Sequence, residues 1–172
     1  MELLATERLS LRQLEPDDAQ VISAYRSEPD VARHQSWSAP YSLAAAEALV
    51  QEMLHRRPSD PGWTQIGIEL RATGELIGDV AFERRSGREA AVGYTLAPAH
   101  WGNGYATEAV GAVVAHGLDV LGHDRIVAEV APENAASIGV LTRLGFASDG
   151  TTASGDARYL RRRAPATPRR SP

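Results

Sequence analysis

The stretch Tyr94-Thr-Leu-Ala-Pro-Ala-His-Trp-Gly-Asn-Gly-Tyr-Ala-Thr-Glu-Ala109 fixes three successive elements of the chain. An apolar strand breaks at Pro98, a loop carrying Gly102 and Gly104 follows, and a long helix begins beyond it. Glycines at such a turn let the backbone come close to a ligand, and the unpaired N–H groups of the first helical turn then face that ligand. A site of this kind favours phosphate. A plain strand-to-helix connection carries the same short pattern, so the rest of the chain must decide between the two.

Upstream, Leu9-Ser-Leu-Arg-Gln-Leu14 alternates apolar and polar and reads as a strand with Leu9 and Leu11 inward. Pro16 and Asp17 open a helix over residues 17–27, which Pro29 closes. The mixed stretch over residues 31–40, with His34, Trp37 and then Tyr41, suits either a substrate groove or core packing. Ser42 is an N-cap for a second helix running to Arg57, with Leu43, Ala46, Leu49, Val50, Met53 and Leu54 at helical spacing. Residues 64–70 and 76–82 form a hairpin through Thr73-Gly74, and Gly87 turns the chain into a strand over residues 89–96. The result is an antiparallel meander that feeds the glycine loop.

Downstream, Ala106, Ala109, Val110, Val113, Val114, Gly117, Leu118 and Leu121 mark one apolar face of a helix that Gly122 ends. Residues 126–130 are a buried strand. A helix separates it from residues 89–96, so this strand–helix–strand unit is expected to be parallel and right-handed. A further helix over residues 134–144 is closed by Gly145, and two last strands cover residues 146–148 and 157–161. Residues 164–172, rich in Pro and Arg, read as a disordered basic tail beside a single domain over residues 1–163.

Composition narrows the function classes. No run of about 18 apolar residues is present to span a bilayer, and the first residues lack the basic flank and apolar run of a signal peptide. Zero cysteines exclude disulfides and thiolate metal sites, so the reading is a cytoplasmic protein with no metal. A net charge of −4 speaks against general nucleic-acid binding and leans towards cationic substrates.

Two phosphate loops fail on their residues. A P-loop needs Gly-Lys-Ser/Thr entering the helix, whereas Tyr105 follows Gly104. A dinucleotide loop wants Gly or Ala where Thr107 stands, and Asp124 lies before the next strand rather than at its end. A third pattern fits. Gly93-Tyr94-x-Leu96-x-Pro98-x-x-Trp101-Gly-x-Gly-Tyr-Ala-Thr-Glu-Ala109, followed by Pro132-Glu-Asn134-x-x-Ser137-x-x-x-Leu141-x-x-Leu144-Gly-Phe146, resembles the GNAT superfamily of acyl-CoA N-acyltransferases. Within it the chain is most similar to the RimJ/RimL branch of ribosomal-protein-alanine N-acetyltransferases. The opening Thr6-Glu-Arg-Leu-Ser-Leu-Arg12 and Asp17-Asp-Ala19 add to a likeness that runs from Ala5 to Phe146.

The resemblance implies a mixed α/β fold, with a mostly antiparallel sheet of about seven strands splayed in the middle and helices on both faces. The splay would admit the pantetheine arm of acetyl-CoA. Tyr94, Thr95 and Leu96 would offer backbone groups to its amides, and Trp101, Gly102, Asn103, Gly104, Tyr105, Ala106 and Thr107 would hold the pyrophosphate. Trp101 stands where the wider superfamily often has Gln or Arg, and packing is its other role. The family places an Asn like Asn134 beside pantetheine and a Ser like Ser137 near the sulfur; Asn134 also suits a helix N-cap.

Two superfamily habits are missing. Leu141 stands where many members carry a Tyr acid, which gives Ser137 more weight as the donor to a departing thiolate. Ala91 stands where many members of the branch carry Glu, which leaves the base open among Glu83, Glu89 and Glu129. Glu89 shares the strand face of Ala91 by period two, and a salt-bridging surface role is the other reading of each. His34 and His100, isolated histidines without partner spacing, rank below them. The expected function is an acetyl-CoA-dependent N-acetyltransferase acting on a primary amine, either a peptide N-terminus or a small molecule, by direct attack in a ternary complex. The changes at Ala91 and Leu141 motivate an alternative, a non-catalytic acyl-CoA-binding module, and a homodimer is a habit of the family.

Overall fold

Apolar residues at every second position put one face of successive strands into a common core: Leu9 and Leu11, Ile66 and Ile68, Val80 and Phe82, Ala90 and Val92. The computed structural model describes residues 1–164. Their order is β1 (Glu2–Ala5), β2 (Leu9–Gln13), α1 (Asp18–Arg26), α2 (Pro29–Ala32), α3 (Leu43–Met53), β3 (Gly62–Leu70), β4 (Leu76–Arg84) and β5 (Glu89–Leu96). The second half adds α4 (Tyr105–Ala115), β6 (Arg125–Val130), α5 (Ala135–Arg143), β7 (Ala147–Thr151) and β8 (Ala157–Arg162). The eight strands form one sheet in the order β1-β2-β3-β4-β5-β6-β8-β7, in which only β5 and β6 pair in parallel.

Helix α4 covers the first core with Ala109, Val110, Val113 and Val114. Leu76 neighbours Ile77 on β4 and so points to the opposite face, where α1 and α3 supply Ile22, Tyr25, Ala46, Val50 and Met53 to a second core. Helices therefore cover both faces, as the fold expected from sequence requires. The eighth strand is β1, whose four residues pair with β2 from Glu2↔Arg12 to Ala5↔Ser10 and are too few to show a period. Helix α3 begins where Ser42 Oγ accepts from the Ala45 N–H at 3.1 Å, but it stops at Met53 rather than Arg57. Helix α4 runs on through a π turn, His116–Val120, before Gly122 ends it at φ 79°. Expectations for residues 164–172 fall outside the described residues beyond Ala164.

What positions the site is the way β5 leaves β6. The two strands pair only at Glu89↔Arg125, Ala90↔Ile126 and Ala91↔Val127. Beyond Ala91 each keeps its outer partner, β5 with β4 as far as Leu96↔Gly78 and β6 with β8 as far as Val130↔Ala157. A wedge therefore opens between the C-terminal halves of the two strands.

Gly78 makes this course possible for β5. A Cβ there would stand 2.2 Å from the Thr95 carbonyl oxygen, a distance no side chain tolerates. Beside it, Asp79 is buried and its carboxylate accepts from the Tyr25 hydroxyl at 2.6 Å and from Arg26 Nη2 at 3.1 Å. Burial works against the charge of Arg26, but Asp79 more than restores it and the guanidinium stays protonated. Arg26 lies over the Trp37 ring at 4.3 Å and near the Tyr41 ring at 5.2 Å, so both aromatics pack around it. Of the two roles open to Trp37 and Tyr41 in the sequence, the structure shows packing.

Gly78→Ala is expected to lower the stability of the fold by about 1–3 kcal/mol, because the added methyl collides with backbone that cannot rotate away. Thermal melting checks this, and the loss should be accompanied by weaker CoA binding because β5 must shift at Thr95.

Candidate active site

Pro98 and the two glycines of the loop have separate consequences. Residues Pro98–His100 make one 3₁₀ turn, and Gly102 and Gly104 then take φ of 76° and 78°, the left-handed region where glycine carries no Cβ penalty. Gly102 has open space at its absent Cβ. The chain enters α4 at Tyr105. Among the described residues, the backbone N–H groups of Gly102, Asn103, Gly104, Tyr105, Ala106 and Thr107 donate to no protein acceptor, and the first to do so is Glu108, onto Gly104. Six successive free donors at a helix N-terminus form a cradle for an anion of phosphate size.

The cradle is held by side chains from the start of the chain. Glu108, in the first turn of α4, accepts from Thr6 Oγ1 at 2.6 Å, from the Arg8 N–H at 2.9 Å and from Arg8 Nε at 2.7 Å. Burial alone would raise the Glu108 carboxyl, but these three bonds and the Arg8 charge outweigh it and hold the group below the usual carboxylate range. Arg8 also donates from Nη1 to the Asn103 carbonyl at 2.9 Å and lies over the Tyr105 ring at 4.5 Å. This lock was not legible as such in the sequence, since Arg8 and Glu108 are 100 residues apart.

The rest of the expected cofactor residues line the wedge. Tyr94 donates its hydroxyl to the Ser137 carbonyl at 3.1 Å and so spans from β5 to the first turn of α5. Asn134 caps that helix, its Oδ1 accepting from the Ser137 N–H at 3.1 Å. Trp101 donates its indole N–H to the Leu96 carbonyl at 2.9 Å while its ring stays 47% exposed, so it fastens the strand end without entering the core. Thr95 is buried and its hydroxyl accepts from Gln35 Nε2 at 3.3 Å; the same amide donates to the Tyr94 carbonyl at 3.4 Å. Strand β5, the loop and the start of α5 thus bring together Tyr94, Thr95, Leu96, the residues from Trp101 to Thr107, Asn134 and Ser137.

Glu89 does not join this group. It sits at the closed end of β5, five residues and about 16 Å of strand from Tyr94. Its carboxylate pairs with Arg125 Nε at 2.6 Å, Arg85 Nη1 at 3.5 Å and Arg158 Nη2 at 3.5 Å. Burial would raise it, but the Arg125 hydrogen bond and the three guanidinium charges hold it below the usual carboxylate range. A carboxylate so paired accepts a proton reluctantly. Glu83 and Glu129 also contact Arg85, which gathers all three glutamates on one cation. His100 faces Glu75 at 3.2 Å, on the rim of the loop.

Comparison with known proteins gives this geometry its context. The model of the acetyltransferase (GNAT) domain matches residues 8–147. The chain belongs to the GNAT acetyltransferase family. It is 36% identical over 153 residues to the uncharacterized N-acetyltransferase p20 of Bacillus licheniformis, covering 87% of this chain and 85% of that protein. Its fold is that of Mycobacterium smegmatis RimJ in complex with CoA-disulfide, with a TM-score of 0.78 and 22% identity over 90% of this chain and 81% of that one. It is equally that of spermidine N-acetyltransferase from Vibrio cholerae in complex with CoA and spermine, with a TM-score of 0.77 and 22% identity over 92% and 97%. The protein is therefore an acyltransferase, of a family whose donor is acetyl-CoA. The free N–H run and the open space at Gly102 fit the anionic end of that donor.

The lock has a pH signature. The folded chain holds the Glu108 carboxyl below its unfolded value, so the unfolded chain takes up the proton first. Its stabilisation is complete above the unfolded value and is lost as pH falls through the folded one. Glu108→Gln is expected to melt below the wild type at neutral pH, with the gap closing on acidification; melting curves across pH check this. Arg8→Ala, which frees the loop carbonyl, is expected to weaken CoA binding about fivefold, measured by calorimetry.

Proposed function

We propose that this GNAT protein is a RimJ/RimL-type N-acetyltransferase that moves the acetyl group of acetyl-CoA to a primary amine, on a peptide N-terminus or a small molecule. The observation that carries the reading is the run of six free N–H groups from Gly102 to Thr107, set at the exit of a strand whose pairing lapses after Ala91. In this reading the loop holds the pyrophosphate, and the β5 backbone from Tyr94 to Leu96 lines the path of the pantetheine arm. The whole of residues 1–163 acts as one domain.

Both substrates are present together and the amine attacks the thioester directly, since the chain has no cysteine to carry the acetyl group. The amine nitrogen forms a bond to the thioester carbonyl carbon, the carbon–sulfur bond breaks, and a thiolate departs. Asn134 fixes the first turn of α5 through the Ser137 N–H, while the Ser137 hydroxyl, which makes no hydrogen bond among the described residues, remains available to donate to that thiolate. Serine is too weak an acid to do more than this.

A thiol-release assay with acetyl-CoA across N-terminal peptides, polyamines, aminoglycosides and amino acids tests the function. Turnover with at least one class is expected, and silence with every acceptor despite CoA binding would sink it. Ser137→Ala is expected to lower kcat about 10- to 100-fold, the worth of one hydrogen bond to a charge, with CoA affinity unchanged.

A further inference from the structure

The charged groups first expected to serve as the base are tied up around Arg85, and two of them, Glu83 and Glu89, lie at the closed end of the wedge. At the open end stands His34. It follows the short helix α2, and two contacts fix its place. The neighbouring Gln35 reaches β5, where its Nε2 donates to the Tyr94 carbonyl and the Thr95 hydroxyl. His34 itself turns Nδ1 towards Glu133 Oε1 at 3.7 Å, in the turn that carries β6 into α5 just before Asn134. His34 is thereby set at the mouth, its neighbour Gln35 fastened to β5 and its own ring turned to Glu133 on the other lip.

Its surroundings are unusual for a surface histidine. The side chain is only 19% exposed, and Nδ1 is fully buried without a hydrogen-bond partner. A buried polar nitrogen left unpaired costs stability unless another role retains it. Glu133 is 70% exposed and free to close the remaining distance. Nε2, across the ring from Glu133, makes no hydrogen bond among the described residues.

We propose that His34 is the proton acceptor of the transfer, with Glu133 as the residue that positions it; this rests on the acetyltransferase reading above. The acceptor amine arrives as its ammonium form. Nε2 takes one proton, while Nδ1–H faces the Glu133 carboxylate. The freed lone pair then bonds to the thioester carbonyl carbon, and the carbon–sulfur bond breaks. The second N–H proton passes to the thiolate, giving the amide and CoA thiol, and His34 returns its proton to solvent. Imidazole suits this task because it can accept at one nitrogen while donating from the other.

The test uses the full chain with acetyl-CoA and the first of three acceptors that the wild type acetylates: an alanine-N-terminal peptide, a serine-N-terminal peptide or spermidine. His34→Ala and His34→Gln are expected to lower kcat about 100-fold or more, with CoA affinity and melting temperature unchanged. Added imidazole should restore part of the His34→Ala loss, a recovery that a packing role would not show. Glu133→Gln should lower kcat several-fold without changing KM for acetyl-CoA, and Glu129→Gln should leave turnover within twofold. Wild-type turnover in His34→Gln, or a silent Glu129→Gln beside an active His34→Gln, overturns this inference alone. A wild type that binds CoA but acetylates none of the three overturns it together with the reading beneath it.

Discussion

Everything in this fold depends on two parallel strands that stop pairing after three residues. Were β5 and β6 to zip along their length, the sheet would be continuous and closed to any ligand. They part because each is held on its other side: β5 by β4 up to the close approach at Gly78, and β6 by β8 along its whole length. Parting leaves main-chain groups facing each other without partners, at about 1–3 kcal/mol for each one kept from water and unbonded. Side chains meet part of that demand, Gln35 at the Tyr94 carbonyl and Trp101 at the Leu96 carbonyl, while the Tyr94 hydroxyl reaches the Ser137 carbonyl of α5. These contacts fasten β5 to its flanking segments and to the first turn of α5.

Charge is distributed along the same axis. The closed end concentrates Arg85 and Arg125 with Glu83 and Glu89, and Arg158 and Glu129, just past the strands' last shared pair, complete a self-compensating cluster. The open end offers main-chain donors and a helix N-terminus, next to which Arg8 neutralises Glu108. A net charge of −4 therefore says little about affinity for an anionic cofactor, since the local field at the loop is set by groups within a few ångströms.

The sequence was most legible where local chemistry decides structure. Pro98, Gly102 and Gly104 announce the strand–turn–helix passage, Ser42 and Asn134 announce caps, and period-two apolar residues announce β2 to β5 and their core face. It was least legible where long-range pairing decides. β1 has only four residues, α2 has one turn, and neither has room for a period. Strand alternation reports which face Glu89 shares with Ala91 and says nothing of how far along the strand the chemistry lies. His34 had no visible partner because Glu133 is 99 residues away in the chain and meets it only across the wedge.

The Thr6–Arg8 lock on Glu108 couples the segment before β2 to the cradle. Thr6 and Arg8 stand beside the anion cradle, tied to Glu108 and to the Asn103 carbonyl. Ordering of the first eight residues and occupation of the loop are then two faces of one equilibrium, each favouring the other by the same free energy. Bound CoA would shield that segment from proteases without touching it. Removal of those residues would leave every donor in the cradle present and the cradle itself unfinished.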